Sequence, residues 1–195
     1  GNWLDVALND GDYVTAMVSY ADRILQFKRR NLYVLNISDD TEFIEGQYLS
    51  MGVLHPSQVC VGSQGVFWVN SHGLFRYDGE SIEDLTANKI PIADWAITES
   101  ASSIPGCAYS EDLRTLFICP DLSETGANFD GTGGWSFDMI NQGFTKLPVG
   151  FWATGKKSNL HMDFNGDIVY CQGAVLYKVG SSPAAQSDYE LITED

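Results

Sequence analysis

Three histidines, four cysteines and a large excess of carboxylates are the residues in this sequence whose types could do chemistry. Hydrolysis needs a nucleophile or a carboxylate pair with a base within hydrogen-bond reach. His55, His72 and His161 have no such partner motif. His55 precedes Pro56 in a segment between two apolar runs. His72 lies in Ser71-His72-Gly73, where a polar turn residue is explanation enough. No GxSxG, HExxH or glycine-rich phosphate loop occurs. The expectation is a chain that is not an enzyme, with no catalytic, cofactor-binding or metal-ligating residues.

Cys60, Cys107, Cys119 and Cys171 form no CxxC pair, and no His–Cys cluster has zinc spacing. Each lies inside an apolar run, as in Gln58-Val59-Cys60-Val61 and Leu116-Phe117-Ile118-Cys119. A buried free thiol packs as a small hydrophobe, so all four are expected to be core thiols of a protein assembled in a reducing compartment. A Cys107–Cys119 bridge stays open as an alternative, because those runs could pair as neighbouring strands.

Two loops look like ligand sites at first sight. Asp163-Phe164-Asn165-Gly166-Asp167 has the carboxylates of a calcium loop, but its glycine falls one position early and no bidentate Glu closes it. Asn165-Gly166 between two apolar runs reads instead as a two-residue hairpin turn. Asp130-Gly131-Thr132-Gly133-Gly134-Trp135 faintly resembles the Asp-box of sialidase propellers. Its Asp-to-Gly spacing is wrong and the leading Ser or Thr is absent, so a glycine-rich blade loop is the better account. Asn36-Ile37-Ser38 matches a glycosylation sequon without any secretory context.

These residues must be positioned by strands. The chain has 195 residues, 44% hydrophobic and 19% charged, which is a globular composition. Aromatics make up 12%, and the 19 glycines fall mostly between apolar runs. Many short strands joined by tight turns give that pairing. The formal net charge of −15 predicts repulsion from nucleic-acid phosphates and anionic membranes. No apolar run approaches the roughly 20 residues of a membrane helix. The start, Gly1-Asn2-Trp3-Leu4-Asp5, lacks a signal peptide's features and an initiator Met, and the end falls on a strand. Both suggest a fragment of a longer polypeptide.

A repeat organises the strands. Tyr13–Tyr20, Arg23–Lys28, Leu32–Ile37 and Glu42–Gly46 are four short runs with polar turns between them. The pattern recurs at Gln58–Gly62, Val66–Asn70, Leu74–Tyr77 and Ser81–Leu85. A third copy, stretched by a Gly-rich insertion over 121–134, runs Gly106–Tyr109, Thr115–Cys119, Trp135–Asp138 and Gly143–Leu147. A fourth runs Asn159–Phe164, Asp167–Cys171, Ala174–Val179 and Tyr189–Thr193. Leu32 and Leu74 lie 42 positions apart, as do Val18 and Cys60, and Phe137 and Val179. A four-stranded unit recurring every 40–45 residues or so marks propeller blades. The fold expected is therefore all-β: a β-propeller of four-stranded antiparallel blades over 13–50, 57–87, 104–150 and 159–195. About four blades are visible, part of a larger propeller.

The second runs, such as Val66-Phe67-Trp68-Val69, are apolar throughout, as strands buried on both faces are. Phe67, Val69, Phe117, Ile118, Val169 and Tyr170 are the expected inter-blade core. Third runs such as Leu74-Phe75-Arg76-Tyr77 alternate better. Helical periodicity is weak throughout, and the best helix candidate is a short turn near Ile92–Trp95.

Several stretches resemble blades of bacteriophage tail and head–tail proteins. They are Tyr20–Lys28 with Leu32–Ser38, and His55-Pro56-Ser57 with Gly65–Asn70 and Gly73–Gly79. The group they are most similar to is the propeller-bearing tail hub and nozzle proteins of short-tailed phages, the packaged-DNA stabilisation proteins. Tyr189–Asp195 resembles the strand leading out of that propeller. The insertion at 121–134 and the connection at 87–103 depart from the pattern. The resemblance implies a structural virion protein assembled in the host cytoplasm, in a symmetric ring of six copies. Its partners would be other tail and portal-adaptor proteins, with DNA passing nearby without specific binding. The basic clusters Lys28-Arg29-Arg30 and Lys156-Lys157 are placed at strand turns, as subunit contacts or solvated charge. The alternative is a host-surface glycan-binding propeller of the tail, with Trp135 and Trp152 as candidate platforms. A glycoside hydrolase ranks last, for want of paired motif carboxylates.

Overall fold

The computed structural model describes Val6 and residues 11–38, 41–123 and 133–179. It holds four antiparallel sheets in chain order. The first contains β1 (Val14–Tyr20), β2 (Arg23–Lys28), β3 (Asn31–Asn36) and β4 (Phe43–Leu49). The second contains β5 (Val59–Gly62), β6 (Gly65–Asn70), β7 (Gly73–Tyr77) and β8 (Ile82–Asp84). The third contains β9 (Gly106–Ser110), β10 (Thr115–Cys119), β11 (Trp135–Asp138) and β12 (Gly143–Lys146). In the fourth, β13 (His161–Met162), β14 (Ile168–Gln172) and β15 (Val175–Lys178) are described. The expected fourth strand of that blade, Tyr189–Thr193, lies outside the described residues. Each sheet is a meander in which neighbours in sequence are neighbours in space. This is the propeller-like, blade-by-blade architecture that the repeat predicts.

The blades stack because their middle strands are apolar on both faces. All six residues of β6 are buried. Val66 and Trp68 pack on Leu25, Phe27, Leu32 and Val34 of the first sheet. Phe67 and Val69 turn the other way, onto Cys107, Tyr109, Leu116 and Ile118 of the third. On β10 the alternation repeats, with Leu116 and Ile118 facing back and Phe117 and Cys119 meeting Ile168 and Tyr170 of the fourth sheet. The period-2 geometry of a strand thus serves two seams at once. β7 is buried at every position but Arg76, so the alternation read in its sequence is weaker in space. Val169 is a correction: it is only half-buried, because it points away from the third–fourth seam.

First strands of successive sheets approach each other, β5 to β9 and β9 to β13, so they form the inner side of the arc. The fourth strands β4, β8 and β12 are its outer, largely exposed side. The short helix expected near Ile92 is present as α1 (Ile92–Trp95). It drives Trp95 into the second–third seam, where the indole Nε1 donates to Asn70 O at 2.8 Å. A 3₁₀ turn at Pro56–Gln58 leads into β5. Its Gln58 is fully buried and tied at both ends: Oε1 accepts from the Leu54 and His55 amides, and Nε2 donates to Val69 O and Glu99. A buried amide satisfied at every atom fixes the linker between blades.

The hairpin at Asn165-Gly166 is longer than two residues. Asp163 and Asp167 bracket it, Gly166 N donates to Asp163 O at 3.1 Å, and only Gly166 has positive φ. That is a three-residue loop with a left-handed glycine, since a two-residue type I′ turn needs positive φ at both central residues.

Candidate functional site

Antiparallel meanders send alternate turns to opposite rims of the arc, and hydrogen bonds between blades confirm the assignment. On one rim, Tyr20 Oη reaches Ser63 O across the first two blades. The Glu111 carboxylate takes both the amide and the hydroxyl of Ser63 across the next two, each at 2.6 Å. This rim carries Asp22, Asp78, Glu80, Glu111, Asp112, Asp138 and Asp163. On the other rim, Asn70 Nδ2 donates to Ser50 O and Gly52 O, and His55 Nε2 lies 2.9 Å from Ser100 O. That rim carries Arg29, Arg30, His72, Lys89 and Lys156. The first rim also carries Arg114 and the second Asp94 and Glu99, so the first leans acidic and the second is mixed, and neither is visible along the sequence. Both could have been found by assigning alternate turns of the four-strand template to alternate ends.

Three of these carboxylates, Asp78, Asp138 and Asp163, are occupied with their own turns. Asp78 Oδ1 accepts from the Glu80 and Ser81 amides at 2.9 and 2.8 Å. Asp138 Oδ1 accepts from Ile140 and Asn141, and Asp163 Oδ1 from Asn165 and Asp167. Amide donors stabilise the ionised form. The Ser81 amide, then that of Glu80, holds Asp78 below its ordinary carboxylate range, and the Ile140 amide leads the same effect at Asp138. Asp163 therefore acts as a turn cap. Among the described residues no group of three His, Cys, Asp or Glu side chains is placed to hold a metal ion.

The histidines do not converge. His55 starts the 3₁₀ turn, His72 is exposed in the β6–β7 turn with its amide on Asn70 Oδ1, and His161 is exposed on β13. Asp130 lies outside the described residues, so only Gly133 and Gly134 of that loop are placed; Gly133 O accepts from Trp152 Nε1. Asn36 uses its amide group locally, donating to Glu45 and accepting from Ser38.

Three expectations about side chains are corrected. Cys107 and Cys119 sit on paired strands, but Cys107 lies opposite Ile118 and Cys119 opposite Gly106, so their sulfurs face opposite seams and cannot bridge. Cys171 is exposed and Cys60 half-buried, so two of the four are not core thiols. Lys28 and Lys157 are not solvated turn residues. Lys28 ends β2, buried, with Nζ 5.5 Å from the Tyr33 ring centre. Lys157 is buried with Nζ on Gly155 O.

A cleft of about 370 Å³ on the second rim is lined by Arg29, Arg30, Ser50, His72 and Glu99 among others. Asp12 also lies beside it, accepting from the Arg30 amide. It mixes both signs of charge and does not concentrate positive potential. Of the glycan candidates, Trp152 belongs to the core and Trp135 is half-buried against it. Trp152 is buried against Tyr170, and Trp135 stacks on Trp95 with centroids 6.2 Å apart.

No protein-family model matches the chain, and no curated protein matches it. Among the described residues no helix is long and apolar enough to cross a membrane.

Proposed function

We propose that this chain is a structural virion protein, part of the propeller of a tail hub or nozzle at the head–tail connection of a short-tailed phage. Its work is assembly and the retention and ejection of the genome. The observation that carries the reading is the acidic rim. Carboxylates line one rim, with Asp78, Asp138 and Asp163 held by their own turns, on a stack of blades locked by apolar seams. Such a surface is rigid, offers fixed charge to cationic partner surfaces, and lets DNA slide past without adhering. The resemblance of Tyr20–Ser38 and His55–Gly79 to blades of that group supports the same reading, since both stretches fall on successive blades. The partners are other tail and portal-adaptor proteins, the copy number is six, and the location is the virion.

The glycan-binding alternative loses support from the packing of Trp135 and Trp152. An aromatic platform for sugar must present a ring face to solvent, whereas Trp152 is buried and Trp135 stacks one face on Trp95.

The test is mass spectrometry of purified virions from the phage that encodes the chain, with native mass spectrometry of its full-length polypeptide. Peptides of the chain in the particle and a six-fold assembly are expected. Absence from the virion overturns the proposal. A glycan-array signal from the isolated protein would favour the alternative.

A further inference from the structure

The second–third seam holds a pair of thiols whose sulfurs meet across the two blades. Cys60 on β5 and Cys107 on β9 belong to different blades, and their sulfurs are 3.6 Å apart. Cys107 is almost fully buried, and its sulfur also lies 3.1 Å from Gln58 O. Cys60 is half-buried and lines, with Cys107, a cleft of about 290 Å³ on the inner side of the arc. His161 and Met162 of β13 close the far wall of that cleft. Cys60 is thus the more exposed member of the pair at the cleft, and Cys107 the buried one.

We propose that Cys60 and Cys107 form an oxidisable dithiol that closes to a disulfide between the second and third blades when the protein meets a peroxide. The Cys60 thiolate attacks one peroxide oxygen. The O–O bond breaks, Cys60 becomes a sulfenic acid, and the departing hydroxide takes up a proton as water. The Cys107 sulfur then attacks the Cys60 sulfur. The S–O bond breaks, and the hydroxide leaves as a second water with the Cys107 proton. Two thiols are oxidised and one peroxide is reduced to two waters.

The geometry favours the resolving step. The sulfurs need to move from 3.6 Å to a bond of about 2.05 Å, within reach of side-chain rotation on neighbouring inner strands. The hydrogen bond with Cys60 and burial push the Cys107 thiol well above its ordinary value. Cys60 therefore takes the attacking role and Cys107 the resolving one. The other thiols cannot substitute: Cys119 faces the third–fourth seam and Cys171 stands exposed on the last sheet. A bridge here would staple two blades after the protein leaves a reducing compartment. The inference rests on the chain's own geometry and holds whether or not the protein is a virion component.

The experiment uses the full chain carrying Cys171→Ser, to remove the exposed competitor. It is treated with a small excess of hydrogen peroxide, alkylated, digested without reductant and mapped by mass spectrometry. A peptide linking Cys60 to Cys107 is expected, with loss of two hydrogens in the intact mass. Reductant should reverse it, and Cys60→Ser in the same background should abolish it. Recovery of Cys107 as a free, alkylatable thiol while Cys60 advances to the sulfinic acid would overturn the proposal. So would a linked peptide that pairs Cys119 instead.

Discussion

The rings of Phe67 and Tyr109 stack across the seam between the second and third blades, centroids 5.3 Å apart and planes 27° from parallel. Phe67 belongs to β6 and Tyr109 to β9, so the pair joins a middle strand of one blade to the inner strand of the next. Its phenol end is fixed by Gln64, whose Nε2 donates to Tyr109 Oη at 3.1 Å. Phe67 is fully buried. Removing its ring leaves a cavity that close-packed sheets cannot fill, so Phe67→Ala should cost about 3–5 kcal/mol. Chemical denaturation of the two proteins measures this. A cost under about 1 kcal/mol would mean that β6 faces water.

Gly62, at the end of β5, is held small by the same tyrosine. A Cβ placed there meets the Tyr109 ring. Gly62→Ala should therefore destabilise by about 1–3 kcal/mol through overpacking. Gly143 is the control, because a Cβ there meets nothing within 4 Å. Thermal melting should show Gly62→Ala lowered and Gly143→Ala near the parent.

The capped carboxylates set the acid limit of the rim. Asp78 and Asp138 are both held below the ordinary aspartate range by turn amides. A depressed folded-state value means that the stabilisation is complete above the unfolded value. It is lost as pH falls through the folded one. These turns should thus be unaffected from neutral pH down to about 5 and loosen only below about 4. Carboxyl-carbon NMR titration should place both groups under the ordinary aspartate value. An ordinary value at Asp78 would mean that the turn amides do not hold it in solution.

Phe164 projects from the β13–β14 turn with 95% of its surface exposed. Phe164→Ser should leave stability within about 0.5 kcal/mol, as surface changes do. If the acidic rim is an assembly surface, the same change should weaken incorporation into particles. Denaturation and virion mass spectrometry read the two effects separately.

The isolated chain should not bind duplex DNA at physiological salt. Lys28 and Lys157 are buried, and the cleft beside Arg29 and Arg30 is shared with Glu99. Fluorescence anisotropy with a short labelled duplex at about 150 mM salt, repeated at lower salt, checks this. Micromolar binding that weakens steeply with salt would refute it and make Arg29 and Arg30 the first residues to mutate.

The sequence by itself determined the strands and their grouping. Runs such as Val66-Phe67-Trp68-Val69 are apolar at every position, and such a run in a four-strand repeat is stable only with sheets on both sides. Short-range turns were legible in place but not in type: a turn falls at Asn165-Gly166 as read, but with three residues rather than two, because Asp163 binds the amides of Asn165 and Asp167. What the tertiary structure decided is which face each side chain takes and what meets it across a seam. Cys107 and Cys119 look like strand partners in the sequence, yet one residue of register puts their sulfurs on opposite faces. Cys60 and Cys107 are distant in sequence, yet inner strands of adjacent blades bring their sulfurs to 3.6 Å. Lys28 reads as one member of an exposed basic run, but it ends a middle strand buried on both faces, while Arg29 and Arg30 stand in the turn. Each outcome turns on register and on the neighbouring blade, and contacts between blades are set by the packing of whole sheets rather than by residues near in the chain.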